Sequence, residues 1–154
     1  CERDHALPTQ ALDALGVGHG ERVAVVSHNS ARLLTSFFGV SAYGRIIVPI
    51  NFRLSPAEVS YIVEHSGASV LLVDPELDEH LADVSAMHRF VIGTDSDEAL
   101  YRFDEEPRPW NDRDEDATAS INYTSAGTAT TGIKFCRWVG NDLHAGNFIS
   151  RDLV

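Results

Sequence analysis

Four short apolar runs constrain this chain more than any other feature. They are Val23-Ala24-Val25-Val26, Ile46-Ile47-Val48-Pro49-Ile50, Ser69-Val70-Leu71-Leu72-Val73-Asp74 and Phe90-Val91-Ile92-Gly93. A strand with one wet face alternates apolar and polar residues, and none of these runs does. Each therefore reads as a strand buried on both faces. Helical patterns lie between them. Residues from about Glu2 to Leu15 place Leu12 and Leu15 on one side, with Pro8 disturbing the early part, and Gly16 to Gly20 ends them. Asn29 or Ser30 can cap a second helix whose apolar face carries Leu33, Leu34, Phe37, Phe38 and Val40, with Gly44 as its stop. Ser55-Pro56-Ala57-Glu58 is a helix start with a hydroxyl cap, a proline in the first turn and an early carboxylate. Val59, Ile62 and Val63 form its buried stripe and Gly67 ends it. A fourth helix is expected over Glu76 to Met87, with Leu77, Leu81 and Val84 inward. The order α-β-α-β-α-β-α-β with short connections predicts an α/β fold, a mostly parallel sheet with helices on both faces. On such sheets ligands sit beyond the carboxyl ends of the strands.

Charge narrows the function. The 154 residues carry a formal net charge of −11. A nucleic-acid surface needs basic stripes and there are none; the negative charge gives no help in docking to an anionic membrane. The most apolar stretch, Leu33 to Ile50, is interrupted by Thr35, Ser36, Ser41, Gly44 and Arg45, so no transmembrane segment is expected. Two cysteines, Cys1 and Cys136, make neither a disulfide framework nor a zinc cluster, and a reducing, cytoplasmic setting is the expectation. The seven histidines show no paired metal-ligand spacing, so no metal site is expected from them. The chain opens at Cys1 inside a helical pattern, which reads as a cut end.

The organisation expected is an α/β subdomain over residues 1–94, an acidic linker over 95–116, and a strand with a loop and a truncated remainder over 117–154. In the last part Ala117 to Tyr123 reads as a strand, and Phe135 to Val139 as another. Between them Thr124-Ser125-Ala126-Gly127-Thr128-Ala129-Thr130-Thr131-Gly132-Ile133-Lys134 has the composition of a phosphate-cradling loop. Glycines let backbone N–H groups approach an anion, hydroxyls add donors, and Lys134 supplies a point charge. The spacing is not the Walker pattern. A polar turn after a strand is the simpler alternative.

The wording of the chain adds a resemblance. Leu15-Gly16-Val17-Gly18-His19-Gly20-Glu21-Arg22-Val23-Ala24-Val25, then Val48-Pro49-Ile50-Asn51-Phe52-Arg53-Leu54-Ser55-Pro56-Ala57-Glu58, then Tyr61-Ile62-Val63-Glu64-His65-Ser66-Gly67-Ala68 resemble successive phrases of the adenylate-forming (AMP-binding) enzymes. The likeness runs from about residue 10 to residue 75 and resumes at Ile121-Asn122-Tyr123-Thr124-Ser125. The Asn-Phe-Arg-Leu and Glu-His-Ser-Gly wording is more similar to acyl-CoA synthetases than to the adenylation domains of peptide synthetases.

That resemblance implies part of the N-terminal domain of an enzyme that joins a carboxylic or fatty acid to ATP, releases pyrophosphate, and passes the acyl group to coenzyme A. It implies Mg²⁺ as well, because an anionic carboxylate must meet an anionic phosphate. The family's loop, Tyr-Thr-Ser-Gly-Thr-Thr-Gly-x-Pro-Lys-Gly, holds the β- and γ-phosphates. By resemblance the phosphate contacts here are Thr124, Ser125, Gly127, Thr128 and Lys134, and no catalytic residue is assigned. The wording departs at the loop: Ala126 intervenes before Gly127, the proline is missing, Lys134 falls two positions late, and Phe135 follows it. Either Gly127-Thr128 or Thr130-Thr131-Gly132 is the displaced equivalent. A cradle depends on which N–H groups converge, so this loop is expected to be degenerate and the isolated chain inactive. The alternatives are a non-catalytic α/β binding or interaction module and, last, an unrelated nucleotide-binding domain; Ser27-His28-Asn29-Ser30 lacks the glycine-rich turn that the last requires. Tyr123 is expected to pack and His65 to cap a helix end.

Overall fold

A computed structural model of the chain describes residues 9–41, 43–93, 117–126, 130–139 and 142–150, with 124–126 and all residues from 130 onward described as backbone. Its strands are β1 (Arg22–Val26), β2 (Ile46–Ile50), β3 (Val70–Val73), β4 (His88–Val91), β5 (Thr118–Ala126), β6 (Thr130–Val139) and β7 (Asp142–Ser150), and its helices α1 (Thr9–Ala14), α2 (Ala31–Ser41) and α3 (Pro56–Ser66). The strands form one sheet in the order β4-β3-β1-β2-β5-β6-β7. The first five are parallel; β6 and β7 continue the sheet antiparallel. The parallel sheet with helices is the architecture the apolar runs predict.

Period-two geometry sends alternate residues of those runs to opposite faces. Ala24, Val26, Val48, Ile50, Leu71 and Val73 face one side, against Val59, Ile62 and Val63 of α3 and against Leu77, Leu81 and Val84. Val23, Val25, Ile47, Val70 and Leu72 face the other, with Leu12 of α1, Val17, Val40 of α2 and Ile92. Each fully buried aliphatic side chain contributes about 1.5–3 kcal/mol. Arg45, only 2% exposed, donates from Nε to the Val17 carbonyl at 2.7 Å and pairs through Nη2 with Asp13 Oδ1. Burial lowers its pKa, and the carboxylate at the end of α1 compensates the desolvated charge.

The helix ends follow the sequence. Ser30 Oγ accepts the Leu33 N–H at 3.2 Å at the start of α2. Ser55 and Glu58 close a capping box on α3, and Gly67 ends it at φ 65°. Arg22 then takes up the carbonyls left at that end: Nε donates to Ser66 O at 2.8 Å and Nη2 to Gly67 O at 3.0 Å.

Two expectations are corrected. Glu76 to Met87 is not an α-helix. A 3₁₀ turn, Pro75–Leu77, leads into further turns, although Leu77, Leu81 and Val84 are buried as expected. The Asp78 and Leu81 carbonyls each lie 3.4 Å from Arg89 Nη2, which also pairs with Asp78 Oδ1 at 2.8 Å. An arginine from the next strand thus meets the Asp78 carbonyl, which a helix would have turned to its own N–H group, and shares the Leu81 carbonyl with the Val84 N–H. The fourth strand also starts earlier, at His88, and ends at Val91, because Val70 pairs with His88 and Gly93 turns the chain at φ 79°. The acidic stretch 95–116 lies outside the described residues. The expected truncated remainder contains β7.

The connections decide where a crevice opens. From β1 the chain passes through α2 on one face; from the adjacent β3 it passes through residues 75–87 on the opposite face. Neighbouring strands whose connections part in this way leave a gap beyond their carboxyl ends.

Candidate functional site

Two groups of polar side chains lie above this framework. The first is in the gap between β1 and β3. Ser27 follows β1, and its Oγ donates to Asp74 Oδ2 at 2.8 Å. Asp74 follows β3 and accepts the Glu76 N–H on Oδ1 at 3.1 Å, capping the 3₁₀ turn. His28 Nδ1 stands 3.8 Å from Asp74 Oδ2 and 3.8 Å from Glu76 Oε2. Burial would raise the Asp74 pKa, but the hydrogen bonds from Ser27 and Glu76 and the neighbouring His28 outweigh it and hold the carboxyl below its ordinary value. The His28 ring packs on Phe52 at 4.3 Å between centroids. Phe52 is placed by the turn after β2, where Asn51 Oδ1 accepts the Arg53 N–H at 3.0 Å. Asn51-Phe52-Arg53 therefore makes the turn that buttresses His28.

The second group leads to the hydroxyl-rich stretch. Ser120 pairs with Ile47, and Ser41 Oγ donates to the Ala119 carbonyl at 2.8 Å, fixing the start of β5 on the sheet. Tyr123 packs against the core on the α3 side, and its OH lies 2.8 Å from His65 Nδ1. Tyr61, one turn earlier on α3, stacks on His65 at 5.4 Å. Burial, with a smaller contribution from Tyr61, pushes the Tyr123 phenol up to about 12. The phenol therefore keeps its proton at neutral pH and can donate it to the imidazole. The expected packing role of Tyr123 is present and a polar one is added; His65 sits in the last turn of α3, facing β5.

The backbone places the expected phosphate residues as follows. Thr124 and Ser125 continue β5, opposite Gly132 and Thr131, and Lys134 lies in β6 opposite Asn122. Gly127 and Thr128 lie outside the described residues. An antiparallel ladder directs alternate N–H groups to its partner strand or away from it. Among the described residues, 124–126 and 130–134 lie in the ladder and offer no convergent set of donors there. The first group does not fit Mg²⁺ either, which takes oxygen ligands with near-octahedral geometry, whereas an imidazole nitrogen leads this one.

Sequence reasoning missed the first group. Its members follow two strands that are neighbours in space but separated by a whole crossover in the chain. The available signal was a polar residue directly after each buried run, Ser27-His28 after the first and Asp74 after the third.

Solved structures define the class. The fold matches the anthranilate CoA ligase AuaEII, solved with anthranoyl-AMP, at a TM-score of 0.69 and 28% identity, covering 82% of this chain and 27% of that one. It matches the N-terminal domain of FACL13 from Mycobacterium tuberculosis at 0.69 and 29% identity, covering 80% of this chain and 33% of that one. The architecture is thus that of the N-terminal domains of adenylate-forming acyl-CoA ligases. The model of the family described as AMP-binding enzyme matches residues 9–132, and the chain belongs to that family. Among curated relatives, a long-chain-fatty-acid–CoA ligase of Thermus thermophilus is 47% identical over 66 residues, covering 43% of this chain and 12% of its own length. The fatty acid–[acyl-carrier-protein] ligase ScoC of Streptomyces coeruleorubidus is 30% identical over 127 residues, covering 80% of this chain and 24% of its own length. The chain therefore spans a quarter or less of these two relatives. No helix among the described residues is long and apolar enough to cross a membrane.

Proposed function

We propose that this chain represents the N-terminal α/β portion of an ATP-dependent acyl-CoA synthetase, and that the 154 residues by themselves do not carry the adenylation step. The parent reaction activates a carboxylic or fatty acid as an acyl adenylate, with release of pyrophosphate, and then forms a thioester with coenzyme A in the cytoplasm. Family membership over residues 9–132 is the observation that carries the first half of this reading. The second half is supported by the pairing of Thr124 with Gly132 and Ser125 with Thr131, which commits to a ladder the described ends of the stretch that would have to cradle phosphates. ATP, Mg²⁺ and coenzyme A belong to the parent on this reading. Thr124, Ser125, Gly127, Thr128 and Lys134 remain the residues proposed to descend from its phosphate contacts.

Calorimetry with Mg-ATP and a pyrophosphate-release assay with fatty and aromatic acids test it. No turnover and no saturable heat are expected. Saturable Mg-ATP binding that disappears in Lys134→Ala would restore a working phosphate loop and overturn the second half. Nucleotide-dependent pyrophosphate release by the chain alone would overturn it outright.

A further inference from the structure

The gap between β1 and β3 does not take part in that reading, yet it gathers three groups able to bind a cation. His28, Asp74 and Glu76 each offer one ligand atom, an imidazole nitrogen or a carboxylate oxygen, and the three atoms lie within 4.8 Å of one another. The two distances of 3.8 Å from His28 Nδ1 to the carboxylates are too long for hydrogen bonds. They are close to the roughly 3.2–3.6 Å that separates ligand atoms around a tetrahedral ion bound at about 2.0–2.2 Å. The nitrogen thus faces two carboxylate oxygens at a spacing that a single ion between them would require.

Three further features prepare the place. Topology opens the gap here, because β1 and β3 send their connections to opposite faces of the sheet. Asp74, with 16% of its side chain exposed, is held by Ser27 Oγ and the Glu76 N–H, so its carboxylate is oriented before any ion arrives. The ring of His28 is set by its packing on Phe52. The remaining ligand is Glu76, whose side chain is 82% exposed.

We propose that His28, Asp74 and Glu76 form a binding site for a divalent transition-metal cation of the zinc class, at the carboxyl ends of β1 and β3. One imidazole and two carboxylates suit a borderline cation better than Mg²⁺ or Ca²⁺, and three protein ligands leave a fourth position open to water.

The test is a ZnCl₂ titration by calorimetry of the 154-residue chain with both cysteines alkylated, which removes the thiols as competing ligands. Binding at one site is expected. Glu76→Gln weakens it about 10-fold and His28→Ala about 100-fold, while Ser27→Ala, which frees the Asp74 carboxylate, weakens it about 10-fold. In the ¹⁵N spectrum, zinc shifts Nδ1 of His28 and leaves the other histidines in place. Wild-type-like affinity in both Glu76→Gln and His28→Ala overturns the proposal, as does the absence of zinc binding up to millimolar concentration. Should His28→Ala fail to fold, the exposed Glu76→Gln and the imidazole shift decide alone.

Discussion

The parallel and antiparallel halves of the sheet are built on different terms. In β1, β2 and β3 nearly every side chain is enclosed, because helices or turns cover both faces. In β5 and β6 the pairing is local: Thr118 to Ala126 folds back on Thr130 to Arg137 through a short connection. The first arrangement brings together residues distant in sequence, and its stability lies in interlocking aliphatic side chains. The second gains hydrogen bonds between neighbouring segments. A family resemblance that runs through the parallel strands and fades within β5 and β6 follows the same division. Tight packing restricts many positions at once, whereas a hairpin tolerates an added residue by shifting its turn.

The comparison breaks most visibly if the parallel half tolerates a cavity. Leu72 is 1% exposed and lies between β1 and β4 on the face covered by α1 and α2. Leu72→Ala should cost about 3 kcal/mol, read as a lower urea midpoint with unchanged slope. A loss below about 1 kcal/mol would mean that this face is not packed as described.

How much was legible follows from the same contrast. Val23 to Val26 could be read as a doubly buried strand because both faces make one demand, for apolar side chains. The helix start at Ser55-Pro56-Ala57-Glu58 was legible because its chemistry is local, and the structure adds that Ser55 and Glu58 close a reciprocal capping box there. The turns after Asp74 were not, because the apolar spacing of Leu77, Leu81 and Val84 satisfies a helix equally well. What distinguishes them is Arg89, a residue of the next strand whose position no periodicity reveals. The site between β1 and β3 stayed hidden for a related reason: strand order, not spacing along the chain, makes Ser27 and Asp74 neighbours.

A smaller effect is expected at the end of α3. Gly67 has φ 65°, and a Cβ there would stand 2.5 Å from Arg22 Nη2. Gly67→Ala should cost about 1–2 kcal/mol from the left-handed conformation alone. The guanidinium must also move, weakening its bond to the Gly67 carbonyl. Gly67→Asn, better suited to that conformation, should lose less in thermal denaturation; equal losses would locate the cost in the displaced arginine.

At the other end of α3, Ser55→Ala removes the cap and should cost about 1 kcal/mol. The hydrogen bonds from the Ser55 side chain and backbone hold Glu58 below its ordinary pKa. Glu58 therefore contributes stability that is present above the unfolded carboxylate pKa and is lost as pH falls through its lower folded value. Wild type should approach the variant's stability in acid, so the gap between their melting temperatures should narrow there. A gap that stays constant would show that the carboxylate takes no part in the cap.

The smallest effect belongs to the bond that ties the two halves. Tyr123, on β5, meets His65, on α3, at 2.8 Å, and Tyr123→Phe keeps the ring while removing that contact. About 0.5–1 kcal/mol should be lost at neutral pH. The sign above neutrality follows from the phenol's displacement to about 12. Unfolded tyrosine loses its proton near pH 10, and the folded one resists, so folding favours the protonated phenol. Its contribution is complete below about pH 10 and declines as pH rises toward the folded value. Wild type should therefore lose stability between about pH 10 and 12 more steeply than Tyr123→Phe, which has no phenol to ionise at this position. Parallel declines would mean that Tyr123 is not enclosed against α3.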